Sequence, residues 1–520
     1  MNKPNAIIPA VLASVLALAA CQESAAPEQA AVDTQAPAAQ EPTPAPAEQA
    51  GGKTAPVGIP WFDGSVEEAF ALARAEDRPL FLYWGAVWCP PCVEIRNTVF
   101  KSPQFIAQTR LFIPVYLDGD TERAQTWGDT FETRVYPTMI VFNPAGEEVT
   151  RLNAGIDISA YNTVLELSLE SMRPMEELVS TGLADPSALG AAELQRLAYY
   201  SWYDGIALPE DAPAVLFKTL SEAAVDSDPA ASARLYLQYL VMLAEEKSTD
   251  PGALAWLGSI LASPALTFAT WDYLIMPEQI VPALSGDDQD LPAIKEGWAA
   301  TLKDSRHDER LSTKNQLYGW RPYLVFLLED DEEKTKSLPE DIAAAIRADV
   351  AAADASVAGS HSRQSVINTA ANVLRLAGMT EDARALLTAE IDKSKTPYYF
   401  MGSLASLEEG EGNDEAALEL RREAYEAAEG PATRIRWWAS YVEALTRLAP
   451  ADEATIQAVA LYPFDPANGM DDLYAGANFR NLKRAADSLA EWDGNGEQLE
   501  AFNAALKAAC ADAGEDCREL

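Results

Sequence analysis

Two cysteines separated by two prolines, Cys89-Pro90-Pro91-Cys92, have the residue types and spacing that can carry electrons. Two intervening residues allow the sulfurs to close a small ring. At a helix start the first sulfur faces unpaired N–H groups and the positive end of the helix dipole, which favour a thiolate. Cys89 is therefore the expected nucleophile, and Cys92, three residues on along the same helical face, the resolving thiol. Pro90 and Pro91 fix φ and withdraw two N–H donors, so they tune that thiolate. Trp88 is expected to shield one side of the sulfur and to offer a flat apolar surface. Two structural readings stand beside exchange: a permanent disulfide, or half of a metal site. Metal needs two further ligands, and residues 58–173 hold no histidine and no other cysteine.

The elements around this pair follow from periodicity. Ser65-Val66-Glu67-Glu68 has the pattern of a capping box, with Val66, Ala69, Phe70 and Ala73 on one helical face. Leu80 to Trp84 is a short apolar strand, and Ile95, Val99 and Phe100 continue at helical spacing after Cys92, which puts the cysteines at a strand-to-helix junction. Leu111 to Leu117 reads as a strand and Thr121 to Thr130 as a polar helix. Thr138 to Phe142 and Glu147 to Leu152 are strands around Asn143-Pro144-Ala145-Gly146, and Ile158 to Met172 a final helix. The expected order is αβαβαββα.

Over residues 58–173 the chain resembles the thioredoxin superfamily. One motif is Trp88-Cys89-Pro90-Pro91-Cys92 after a buried strand; the other is Arg134-Val135-Tyr136-Pro137-Thr138 leading into Met139-Ile140-Val141-Phe142. The resemblance implies an α/β thioredoxin-like domain, a cis-proline at Pro137 beside the cysteines, and a substrate backbone docked across Tyr136 and Pro137. It implies a thiol:disulfide oxidoreductase acting on protein disulfides, with no organic cofactor because the sulfurs carry the electrons. Family members place a buried Asp on the strand six residues before the first cysteine. Here that position is Tyr83, so a water or another carboxylate is left to handle the Cys92 proton.

The amino terminus supplies an address. Lys3, an apolar run from Ala6 to Ala20 and Cys21 form an export signal whose apolar stretch is too short to span about 30 Å of hydrocarbon. Leu18-Ala19-Ala20-Cys21 resembles the lipobox of bacterial lipoproteins, which implies cleavage after residue 20 and a lipid on Cys21. Gln22 in place of Asp favours the outer membrane by the same resemblance. Residues 21–57 are Ala, Pro, Glu, Gln and Thr with few large apolar side chains, a tether whose coil reach is roughly 30–35 Å. The 520 residues carry 80 Asp and Glu against 39 Lys and Arg, a net charge of -41 that repels nucleic-acid and anionic lipid phosphates. The expected location is the periplasm, lipid-anchored, with exported proteins bearing cysteines or disulfides as substrates, and a redox partner at the inner membrane.

From 174 to 520 apolar residues recur every three and four positions, as at Leu194, Leu197, Ala198 and at Leu235, Tyr239, Met242, Leu243, so this stretch is all helical. Gly378 to Leu387 matches Gly412 to Leu420 with Ala383 and Ala416 offset by 33, and Pro397 and Pro431 recur at 34. That period resembles tetratricopeptide helix pairs, which implies an array of helical hairpins recruiting peptides or partners. Trp202, Trp256, Trp271, Trp298, Trp437 and Trp438 are assigned to the core. Arg306-His307-Asp308-Glu309-Arg310 reads as a solvated face and His361 as part of a turn with no role. Cys510 and Cys517, with Gly514 between them, form a local structural disulfide worth about 2.5 kcal/mol in the loop-entropy account, the other reading being an electron relay with Cys89 and Cys92. The competing function is a helical interaction lipoprotein in which the thioredoxin-like domain is a scaffold.

Overall fold

The computed structural model describes residues 58–86, 89–153, 158–203, 208, 213–285, 290–330, 338–357, 360–465, 473–493 and 499–513. The signal, Cys21, the tether to residue 57, Trp88 and Cys517 lie outside them, as does the side chain of Cys510. Residues 51–520 form one compact unit.

A thioredoxin-like α/β domain opens this unit. Helix α1 (Val66–Glu76) starts at the expected capping box, with Ser65 and Glu68 exchanging hydrogen bonds. Strand β1 (Leu80–Gly85) leads to α2 (Pro90–Asn97), a helix α3 (Pro103–Thr109), β2 (Ile113–Asp118), α4 (Glu122–Thr130), β3 (Thr138–Phe142), β4 (Glu148–Asn153) and α5 (Ile158–Glu170). The order expected from sequence lacks α3. Its seven residues begin at Ser102-Pro103, a cap followed by proline, and are too few to show a helical period.

The sheet runs β2-β1-β3-β4, with β1 parallel to β2 and antiparallel to β3. Alternation along β1 feeds both faces: Leu80, Leu82 and Trp84 pack under α1 and α4, while Phe81 and Tyr83 pack against Ile95, Phe105 and Tyr161 from the helices opposite. Every β1 residue is buried, which makes it the rigid rod from which the cysteine loop is hung.

After α5 the described chain is helical, apart from a single bridge between Asp250 and Leu284. Three apolar cores follow one another in chain order, spanning Met175 to Phe326, Leu317 to Leu407 and Ile435 to Phe502. The region at the 33-residue offset folds as successive hairpins, Ser360–Leu376 with Thr380–Ile391, then Tyr398–Gly410 with Asp414–Ala427, with Pro397 and Pro431 opening corresponding helices. Trp271, Trp298 and Trp438 are buried, with each indole N–H on a backbone carbonyl, and Trp202 and Trp256 pack along the first core.

Two expectations need correction. Within Arg306–Arg310 the side chains of His307, Glu309 and Arg310 are exposed as expected, but Arg306, in the turn after the helix Asp290–Ser305, is not: it lies over the Trp320 ring and pairs at 2.7 Å with Asp349 on the helix Glu340–Ser356. His361 lies within the helix Ser360–Leu376 instead of a turn, the following Arg363 and Gln364 continuing its helical run.

The helical region is stitched to the sheet by Arg196. Its guanidinium is fully buried and donates to the carbonyl oxygens of Val149 on β4, Ser171 (2.7 Å) and Arg173 (2.7 Å). Burial pushes its pKa down to about 10.

Candidate functional site

Three loops meet at one end of the strands of the sheet. β1 ends at Gly85, whose carbonyl accepts from Gly119 N–H at 2.9 Å just after β2, and Trp84 pairs with Thr138 at the start of β3. The cysteine loop, the 118–121 loop and the 133–137 loop are thus brought together by strand register alone.

Cys89 is the N-cap of α2, and Pro90 and Pro91 fill the first turn. Since neither proline has an N–H, the donor that reaches Cys89 Sγ is Cys92 N–H, at 3.3 Å. Cys89 and Cys92 are joined as a disulfide with Cα atoms 5.2 Å apart. Cys89 Sγ also lies 3.5 Å from the carbonyl oxygen of Tyr136, and the Tyr136-Pro137 bond is cis. In the reduced state the two neighbours oppose one another: the Cys92 amide favours a thiolate on Cys89, and the Tyr136 carbonyl favours the protonated thiol. Tyr83 is buried among Phe100, Tyr116 and Trp61, and burial pushes its phenol well above its ordinary pKa. It cannot substitute for a carboxylate as a proton acceptor near neutral pH.

The expected site residues that are described, Cys89, Pro90, Pro91, Cys92, Tyr136 and Pro137, all converge here. What the sequence did not announce is that the site is covered. Cys89 is 3% exposed and Cys92 1%, and their apolar neighbours include Tyr398, Ala424, Ala428 and Trp437 from three helices of the carboxyl-terminal region. Tyr398 and Tyr399 meet the Trp437 ring edge-on at 5.8 and 5.4 Å. The cover is fastened by polar contacts to the other two loops and to α4. Asp120 Oδ1 accepts from Thr433 N–H (3.2 Å) and Thr433 Oγ1 (2.9 Å). Gln125 Oε1 accepts from Ala477 N–H (2.8 Å), while its Nε2 donates to Gly119 O (2.6 Å) and the Tyr136 hydroxyl (3.4 Å). Arg480 donates to the carbonyl of Thr133 at 2.9 Å.

Two glycines make this approach feasible. Gly430 (φ 85°) and Gly476 (φ 51°) begin the helices Pro431–Leu448 and Gly476–Asp493 at the junction. A Cβ on Gly430 would sit 2.7 Å from Asp120 Oδ1, and one on Gly476 2.7 Å from the Gln125 carbonyl oxygen.

Trp437 shows what signal was available. Adjacent tryptophans on a helix point about 100° apart, so Trp437 and Trp438 can serve different partners. Trp438 enters the last core and Trp437 covers the disulfide. For Asp120, Gln125 and Arg480 there is no local signal, since their partners lie more than three hundred residues away.

A family model described as thioredoxin-like matches residues 61–144. That stretch contains all three loops of the site and ends before β4. No curated protein matches the chain.

Proposed function

We propose that the protein is a thiol:disulfide oxidoreductase, exported, held at the membrane by a lipid on Cys21, and working in the periplasm on cysteines of exported proteins. The observation that carries this reading is the Cys89–Cys92 disulfide at the amino terminus of α2 beside Tyr136-Pro137. Cys89 attacks a substrate disulfide to give a mixed disulfide, and Cys92 resolves it; the electrons reside on sulfur, so no organic cofactor is needed. Because both sulfurs are covered, a protein substrate has to displace the Tyr398–Trp437 face, and the helical region then acts as a gate as well as a recruiter.

Equilibration in thiol buffers of known potential tests this. A midpoint near the thioredoxin value of about -270 mV marks a reductase supplied through an inner-membrane partner, and one near about -120 mV a disulfide donor. Cys92→Ala should trap substrates on Cys89 as mixed disulfides. The same burial favours a second reading, a structural disulfide in a helical interaction lipoprotein; a bond that resists reduction until the chain unfolds would select it. Mass spectrometry of the mature amino terminus tests the anchor, and a Cys21 without acyl mass would remove it.

A further inference from the structure

Beside the cysteine motif lies a cavity whose charge is opposite to that of the chain. It has a volume of about 820 Å³, borders Pro91, and is lined by Lys314, Arg321, Arg375, Arg421 and Arg436 with no Asp or Glu among its described walls. In a chain of net charge -41 five such cations do not gather by composition. Lys314, Arg321 and Arg421 are paired with Glu94, Glu278 and Glu409, which are not among the lining residues. Among the described residues Arg375 and Arg436 have no carboxylate within ion-pair distance; Arg436 lies instead over the rings of Tyr399 and Trp437.

A second, independent observation points to an occupant. Gln364, fully buried in the same wall, has neither its amide oxygen nor its amide nitrogen hydrogen-bonded to a described residue, and the same holds for the buried Trp437 Nε1 and Arg421 Nε. Buried polar atoms left unmatched are costly, because they have given up water without gaining a partner. A ligand with carboxylates and a polar backbone of its own would satisfy them together. Trp437 and Pro91 belong at once to this cavity and to the surroundings of the disulfide.

We propose that the cavity binds small anionic disulfides and thiols, holding their carboxylates at Arg375 and Arg436 with the sulfur toward the Trp437 wall. This rests on Cys89–Cys92 being an exchange pair. In the exchange the Cys89 thiolate attacks one ligand sulfur, the ligand S–S bond breaks, and one ligand thiolate leaves and takes up a proton. The Cys92 thiol then loses its proton, attacks Cys89 and releases the second ligand thiol. Two electrons and two protons pass from the dithiol to the ligand as Cys89–Cys92 re-forms. The Trp437 ring has to swing aside for this, since neither cysteine is more than 3% exposed.

The test uses three disulfides of similar size and different charge: dithiodiglycolate, which is dianionic; bis(hydroxyethyl) disulfide, which is neutral; and cystamine, which is dicationic. Calorimetric titration of the oxidised full chain, which has no thiol at Cys89 or Cys92 to exchange, reads binding alone. Dithiodiglycolate should bind about tenfold or more tighter than the other two, and R375E and R375E/R436E should remove that preference. The single variant leaves the Trp437 contact of Arg436 in place, so its effect is not a repacking of that ring. Equal binding of the three, or a preference that survives R375E/R436E, would overturn the proposal. Oxidation of the reduced chain by the neutral disulfide reads exchange separately. If none of the three oxidises Cys89 and Cys92, the exchange reading falls, and the assignment of a disulfide ligand falls with it.

Discussion

If the helical region gates the disulfide, weakening its fastening should speed reduction without unfolding the protein. Asp120→Ala removes the acceptor of both Thr433 hydrogen bonds, at 3.2 and 2.9 Å. Hydrogen bonds to a charged group contribute about 1.5–3 kcal/mol each, and Asp120 is only half-buried, so a combined loss of about 2 kcal/mol is reasonable. That raises the population of the opened state about thirtyfold. When opening and closing are fast beside the chemistry, the rate of reduction by dithiothreitol follows that population and rises by the same factor. The assay is quenched-flow reduction with thiol alkylation and mass spectrometry of the Cys89–Cys92 peptide. Asp120→Asn, which keeps an acceptor oxygen, should give a smaller rise. Leu257→Ala, a cavity in the first helical core with Leu257 fully buried, should lower global stability by about 2–5 kcal/mol and leave the rate near that of the wild type. A D120A rate within twofold of the wild type, or an L257A rate that rises with global instability, would refute local gating.

Three further outcomes follow from the same geometry. Gly430→Ala places a Cβ against Asp120 at φ 85°, so stability should fall by about 1–2 kcal/mol by urea titration and reduction should speed up. Arg196→Met fills the volume but leaves the carbonyls of Val149, Ser171 and Arg173 without their donor, and should cost about 3 kcal/mol with its largest loss of amide protection at β4. Hydrogen bonds from Arg384 hold the Glu408 carboxyl below its ordinary value of 4.5. The unfolded chain therefore binds that proton at higher pH than the folded one, so the contribution is complete above about pH 4.5 and is lost as pH falls through the lower folded value. Glu408→Gln should flatten the acid limb of the stability curve.

The legible and illegible parts of this protein divide by sequence distance. Leu80 to Trp84 and Thr138 to Phe142 are short apolar runs bounded by turn residues, Ser65 and Glu68 are a local cap, and Cys89 to Cys92 is a local ring. Each is decided within about ten residues, and each appears in the fold as its letters suggest. Helix α3 escaped because seven residues cannot display a period. The cover over the disulfide escaped for a different reason: periodicity assigns a residue to a buried face but does not say what buries it. Trp437, Ala424 and Ala428 satisfy the helical pattern equally well against a neighbouring helix or against Cys89. The contacts that choose between those partners, Asp120 with Thr433 and Gln125 with the backbone N–H of Ala477, use polar groups on a loop, in the first turns of helices or on the backbone, and are indistinguishable in the sequence from solvent-facing ones. The contacts that fasten the cover over the disulfide are a few polar bonds between residues far apart in the chain, and for that physical reason they leave almost no trace in local pattern.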